Sequence, residues 1–317
     1  MKKSLSIILT SMLTAAAALA SNTVISPDGT YLFEQRDTCE LFLDIYKASA
    51  QSEKSIDGHS KPTILFMFGG GFKQGVRNDE FYLPWFKMLT DSGYSVISID
   101  YRLGLKGATK VGVAQVNALD NAIHIAVEDL FSATNFIIDN AECLEVDPSN
   151  IVICGSSAGA ITVMQAEYEI CNATSWASVL PEGFRYAGVM AFSGAILSRE
   201  GKVDYKVHEP APTLMLHGTS DSLVPYKQIA FFNLGFFGGG KLVERFQKFG
   251  YDYNMYHFID YGHEIAGAMA TTFDLQCRFL ETNVMRGKKR IIEAWISDPD
   301  VYKGFGIQSR KELYGDK

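Results

Sequence analysis

The stretch Ile151-Val152-Ile153-Cys154-Gly155-Ser156-Ser157-Ala158-Gly159 decides how this chain is read. A short apolar run with three β-branched residues enters a glycine-serine turn, and Ala158 to Tyr168 then has helical character. Such a run, bounded by a turn, is the pattern of a strand buried on both faces. Gly155-Ser156-Ser157-Ala158-Gly159 is a G-x-S-x-G pentapeptide in the strand–turn–helix context that a nucleophile elbow requires. The turn is sharp enough that only small residues fit two positions either side of the central serine. Its hydroxyl stands above the sheet, at a helix N-terminus that offers unpaired N–H groups and a positive dipole end. Ser157 is therefore the candidate nucleophile, and Ser156 is out of register in the pentapeptide. The bland alternative is a tight turn around an unreactive serine.

Working outward, the same alternation recurs. Tyr31 to Ala48 reads as two antiparallel strands, with Leu41, Leu43 and Ile45 on one face. Buried-type strands are predicted at 63–68, 95–100, 186–192, 213–217 and 253–259. Helical segments are predicted at 79–92, 124–140, 226–233 and 264–282, the last a closing helix. Gln51 to Lys61 reads as a loop, as does Gly238-Gly239-Gly240 between helical segments. Apolar strands separated by helices imply an α/β three-layer sandwich. Its central sheet is mostly parallel, with antiparallel strands at the N-terminal edge. No Pro- or Ser-rich linker and no repeat divides the chain, so one domain over residues 21–317 is expected.

Phe68-Gly69-Gly70-Gly71-Phe72 ends an earlier strand. Acyl transfer places negative charge on a carbonyl oxygen, and preorganised backbone N–H groups stabilise it. Glycines let the backbone approach closely. The expected donors are Gly70 or Gly71, together with Ala158 after the serine. The run does not fit a dinucleotide or phosphate loop. Of six histidines, His263 alone lies on a loop after the last predicted strand, in Tyr261-Gly262-His263-Glu264. It is the candidate general base. Asp221, in His217-Gly218-Thr219-Ser220-Asp221, follows the penultimate strand and is the candidate acid that orients it. Asp260 is the rival, only three residues from His263. The chain order Ser…Asp…His differs from the orders of chymotrypsin-like and subtilisin-like proteases.

The 317 residues carry 29 basic against 36 acidic side chains, a net charge of −7, which argues against nucleic acid as a partner. Met1-Lys2-Lys3, an uncharged apolar run over 5–19 and Ala18-Leu19-Ala20 read as a secretory signal peptide of residues 1–20, cut after Ala20. Export to the periplasm or beyond is expected, with no later segment long enough to span a membrane. Five cysteines leave at least one unpaired, and Cys154 is expected to be buried. No C-x-x-C or His/Cys cluster has the spacing of a zinc site.

Together these motifs resemble the α/β-hydrolase superfamily. The chain is similar to its secreted bacterial carboxylesterase/lipase-like members, which carry a His-Gly-Gly-Gly oxyanion motif. Further support comes from Asp100-Tyr101-Arg102-Leu103, Glu128-Asp129 before a long helix, Asp147-Pro148-Ser149-Asn150-Ile151 and His217-Gly218-Thr219-Ser220-Asp221. The resemblance covers about 31–282. It implies a cofactor-free serine hydrolase acting on carboxylic esters with short acyl groups, with acetyl or feruloyl esters of carbohydrates among the candidates. Two departures stand out. Phe68 occupies the place of the motif histidine, so the loop must be braced another way. Gly104-Leu105-Lys106 replaces the usual Ala-Pro-Glu, making Leu103 to Asn117 distinctive and a candidate substrate rim. The competing expectations are a prolyl-oligopeptidase-type peptidase and a binding protein on a hydrolase scaffold.

Overall fold

The apolar runs become strands in which every residue is buried. The computed structural model describes residues 25–107 and 116–298. The signal peptide expected over 1–20 and most of the distinctive Leu103–Asn117 stretch lie outside these residues. The strands and helices, in chain order, are β1 (Gly29–Arg36), β2 (Cys39–Tyr46), β3 (Ser55–Ile56), β4 (His59–Ser60), β5 (Thr63–Met67), α1 (Leu83–Asp91), β6 (Val96–Ile99), α2 (Val116–Asp139), α3 (Ala141–Leu144), β7 (Ile151–Ser156), α4 (Ala158–Cys171), β8 (Gly188–Phe192), β9 (Ala195–Ser198), β10 (Thr213–Gly218), β11 (Gln228–Phe231), β12 (Leu234–Gly238), α5 (Gly239–Phe249), β13 (Tyr253–Phe258), α6 (Phe273–Phe279) and β14 (Ile292–Ile296).

Nine strands form the central sheet in the order β1-β2-β6-β5-β7-β8-β10-β13-β14. β1 and β2 pair antiparallel, and β2 is antiparallel to β6. From β6 to β14 every pairing is parallel. Strands β5, β6, β7, β8, β10 and β13 are buried along their whole length, which requires cover on both faces. The edge strand β1 instead alternates between more and less exposed positions. This is the three-layer architecture expected from the sequence. Cys154 is buried, and none of the five cysteines is paired.

Several local expectations are corrected. Residues 226–233 are not a helix: β11 and β12 form an antiparallel hairpin that joins β9 in a separate three-stranded sheet. The aromatic-rich runs on either side of Phe232-Asn233 favour strand, and cross-strand pairs such as Ile229 with Phe236 settle it. Gly238 ends β12 and Gly239-Gly240 open α5, so the glycine run is not a loop. A Cβ on Gly238 would lie 1.8 Å from the Pro225 carbonyl oxygen, so the crossing backbone demands glycine there. The closing helix is broken into a 3₁₀ helix (His263–Gly267), α6 and a π-helical turn (Leu280–Met285). Within the break, Thr272 Oγ1 and Gln276 Nε2 donate to the carbonyls of Ala268 and Met269. The 51–61 loop contains the short β3–β4 hairpin. β14, an edge strand parallel to β13, was not foreseen.

The long helix α2 covers Val116 to Asp139, so Glu128 and Asp129 lie within it rather than before it. The fully buried Asp129 carboxylate accepts the Arg102 backbone N–H at 2.7 Å and Arg102 Nε at 2.9 Å, and Arg36 reaches it at 3.3 Å. Arg102 also pairs with Glu128. Removing the buried anion strands these donors. Asp129→Ala should therefore lose about 3 kcal/mol or more in urea unfolding. A variant within about 1 kcal/mol of the parent would contradict this account of how α2 is held.

Candidate active site

The site begins at the end of β7. Gly155 and Gly159 pack against each other across the turn, where a Cβ on Gly155 would lie 2.3 Å from Gly159 backbone atoms. A Cβ on Gly159 would lie 2.1 Å from the Met67 carbonyl oxygen of β5. Small residues on both sides let the chain turn within one residue. That residue is Ser157, held at φ 51° and ψ −114°. A non-glycine residue with positive φ is strained and persists only when its surroundings enforce it. Here the Ser157 N–H donates to Phe192 O of β8 at 2.9 Å, and its carbonyl accepts from Ile161 N at 2.9 Å.

The structure brings Ser157, His263 and Asp221 together. Ser157 Oγ lies 2.8 Å from His263 Nε2, and His263 Nδ1 lies 2.8 Å from Asp221 Oδ2. All three side chains are buried. The other Asp221 oxygen, Oδ1, accepts the N–H groups of Leu223 and Val224 at 2.9 and 3.0 Å. Burial alone would raise the Asp221 pKa, but the His217 and His263 rings hold the carboxyl well below the usual range. Asp260 is exposed and is not part of the chain. The four remaining histidines lie elsewhere. His257 bonds Tyr226 and lies near Glu293, His124 stacks on Trp176, and His59 and His208 are exposed.

The glycine run lies directly against this turn. A Cβ on Gly69 would come within 3.0 Å of Ser156 Oγ and 3.3 Å of Ser157 Cβ. Gly70 and Gly71 have φ of 120° and 64°, and a Cβ on Gly70 would lie 2.0 Å from Gln74 O. Both conformations suit glycine alone. Ala158 is the first residue of α4, so the helix ladder leaves its N–H unused. Gly69 thus lies against the Ser157 turn, Gly70 and Gly71 follow it on the same loop, and Ala158 follows Ser157.

Two tyrosines brace the glycine loop around Phe68. Phe68 stacks on Tyr101 with ring centroids 4.5 Å apart, and the Tyr101 hydroxyl donates to Phe68 O at 2.9 Å. The Gly69 N–H donates to the Tyr82 hydroxyl at 3.1 Å. Burial raises the pKa of both phenols, so they stay protonated. Ser156 Oγ in turn donates to Ala266 O at 2.7 Å, on the 3₁₀ helix that starts with His263. The Ser156 hydroxyl therefore joins the sharp turn to the histidine segment. Leu105 N also donates to Phe72 O at 2.8 Å, so the replaced Gly104-Leu105-Lys106 segment props the same loop. Tyr82 and Ser156 had no assigned role in the sequence reading, and no spacing signal connects them to Gly69.

A family model described as Phospholipase/Carboxylesterase matches residues 112–270, a span that includes Ser157, Asp221 and His263. The chain belongs to the phospholipase/carboxylesterase family. A second model, BD-FAE, matches residues 43–169. Among relatives, esterase B1 of Culex pipiens is 30% identical over 102 residues, covering 32% of this chain and 18% of that protein. Esterase E4 of Myzus persicae is 29% identical over 137 residues, covering 43% of this chain and 22% of that protein. The matched segment thus spans only about a fifth of either relative. Esterase 2 of Thermogutta terrifontis superposes with TM-score 0.54 at 23% identity, covering 80% of this chain and 91% of that one. That protein has also been solved with butyrate bound, and the superposition extends the shared fold over most of this phospholipase/carboxylesterase chain. Among the described residues no group of His, Cys, Asp or Glu is placed to hold a metal ion, and no helix is long and apolar enough to cross a membrane.

The depressed Asp221 pKa sets a pH dependence of stability. A carboxylate with a lower pKa folded than unfolded stabilises the fold above its unfolded value of about 4. That stabilisation is lost as pH falls below it. Between pH 5 and 3 the parent should lose about 1 kcal/mol that Asp221→Asn does not. Denaturation midpoints at the two pH values measure this, and equal losses in both proteins would contradict it.

Proposed function

We propose that this chain is an exported serine hydrolase that cleaves carboxylic esters with short acyl groups through an acyl-enzyme. The observation that carries the reading is the unbroken chain from Ser157 Oγ through His263 to Asp221, with both links at 2.8 Å, on a strained turn beside a glycine run. Ser157 Oγ attacks the ester carbonyl as its proton passes to His263 Nε2. The Asp221 carboxylate keeps Nδ1 protonated and stabilises the imidazolium. The N–H of Ala158 and one from Gly70 or Gly71 hold the developing oxyanion. His263 then protonates the leaving alcohol, and water cleaves the acyl-enzyme with His263 as base.

Esters with short acyl groups fit the family and the butyrate found with the Thermogutta terrifontis protein. Acetyl or feruloyl esters of carbohydrates are the substrates we place first. Export is supported by Lys2-Lys3, the apolar run over 5–19 and the Ala18-Leu19-Ala20 cleavage pattern. The test is hydrolysis of p-nitrophenyl esters from acetyl to octanoyl by the parent and by Ser157→Ala. Turnover should fall with acyl length, and kcat should fall roughly 10⁴–10⁶-fold in the variant. A loss below tenfold would overturn the role of Ser157. Activity on an aminoacyl-arylamide without activity on any ester would replace the esterase reading with a peptidase.

A further inference from the structure

Asp221 is approached by a second histidine. His217, next to last in β10 and four residues before Asp221, is almost fully buried and places Nε2 at 3.3 Å from Oδ2, the same oxygen that faces His263. The tautomer follows from the other side of the ring. The Gly239 backbone N–H, at the start of α5, donates to His217 Nδ1 at 3.3 Å. A nitrogen that accepts carries no proton in the neutral ring, so the ring proton lies on Nε2. That N–H bonds the carbonyl of Val224 at 3.1 Å, and Nε2 also lies 3.3 Å from Asp221 Oδ2. Val224 also donates its own N–H to Oδ1.

A carboxylate attached to a single rotatable bond can swing or exchange its oxygens. At Asp221, Oδ1 accepts from Leu223 and Val224, while Oδ2 carries the bond to His263 and has the His217 Nε2 edge against it at 3.3 Å. With both oxygens held, the lone pair toward His263 stays fixed. A Cβ on Gly239 would lie 3.2 Å from His217 Nδ1, so a side chain there would crowd the ring against which that backbone N–H is set.

We propose that His217 is a positioning residue of the Ser157–His263–Asp221 site, acting through its Nε2–H to keep Asp221 aimed at His263. The proposal rests on the hydrolase reading above. The other groups near the ring are Tyr226, edge-on with centroids 5.7 Å apart, and His257, its register partner on β13. His257 is engaged by the Tyr226 hydroxyl on one ring nitrogen and lies near Glu293 of β14 on the other. Neither supplies Asp221 with an alternative donor.

Two variants separate the donor from mere filling of space. His217→Asn keeps an acceptor for Gly239 N–H but is too short to donate to Asp221. His217→Gln places an amide N–H near the position of Nε2. Near-UV circular dichroism checks that both are folded, and His217→Leu replaces the Asn variant if that one is not. With p-nitrophenyl butyrate, the Asn variant should lose about 10- to 100-fold in kcat with KM within about threefold, the size expected for a misplaced catalytic group. The acidic limb of its kcat/KM profile should move, because Asp221 then has one donor fewer to divide between its partners. The Gln variant should recover to within about threefold of the parent. The readout without substrate is the strongly downfield proton resonance of the His263–Asp221 hydrogen bond: present in the parent, lost or broadened in Asn, restored in Gln. A folded Asn variant with parental kcat, pH profile and resonance would overturn the proposal, as would equal losses in Asn and Gln. A parent that shows the resonance but hydrolyses no ester would overturn the esterase reading alone, leaving the resonance series to decide on His217.

Discussion

The whole site depends on one close approach of backbone to backbone. Gly155, Gly159 and the Met67 carbonyl meet at distances that leave no room for a Cβ. This contact forces β7 to turn into α4 within one residue and pins that turn to β5. The positive φ of Ser157 is the local cost, on the order of 1–3 kcal/mol. It is offset by bonds to β8 and by burial of the surrounding sheet. Because β5 also carries the glycine run at its end, the same contact seats the Ser157 turn against that loop, so turn and loop are positioned by one packing constraint.

Around that constraint, polar groups are joined rather than isolated. The Gly69 amide bonds the Tyr82 hydroxyl, the Ser156 hydroxyl ties the turn to the histidine segment at Ala266, and the Tyr101 hydroxyl meets the Phe68 carbonyl. Replacing the motif histidine by Phe68 removes a polar side chain from the loop, but the loop's carbonyl and amide both keep partners. Satisfied buried networks of this kind rigidify a site, whereas a partly satisfied one would weaken it.

Much of this was legible in the sequence. The parallel core was readable because apolar runs such as Ile64 to Met67 and Ile151 to Cys154 are short, rich in β-branched residues and bounded by glycine. Ser157, Asp221 and His263 were readable because each lies just after a strand, where an open α/β sheet gathers its functional groups. The β11–β12 hairpin was misread because Tyr226 to Asn233 has no glycine or proline, and its strand character comes from pairing with β9. The closing segment was misread because its apolar spacing is helical, while buried side chains such as Gln276 and Ser156 capture its carbonyls. The bracing roles of Tyr82 and Tyr101 depend on contacts between distant segments, which no local pattern encodes.

The sheet order has a consequence for how the molecule comes to work. Ser157 and His263 are 106 residues apart in the chain, and Asp221 and His263 are 42 apart. Their strands, β7, β10 and β13, are separated or joined only through β8 and the parallel pairings between them. Such non-local pairings are slow to form, because loop closure must precede the contacts that reward it. A partly assembled sheet that lacks β13 would hold the Ser157 turn but leave its hydroxyl without the His263 ring. The Ser157–His263–Asp221 arrangement is therefore a property of the finished sheet and emerges late in folding.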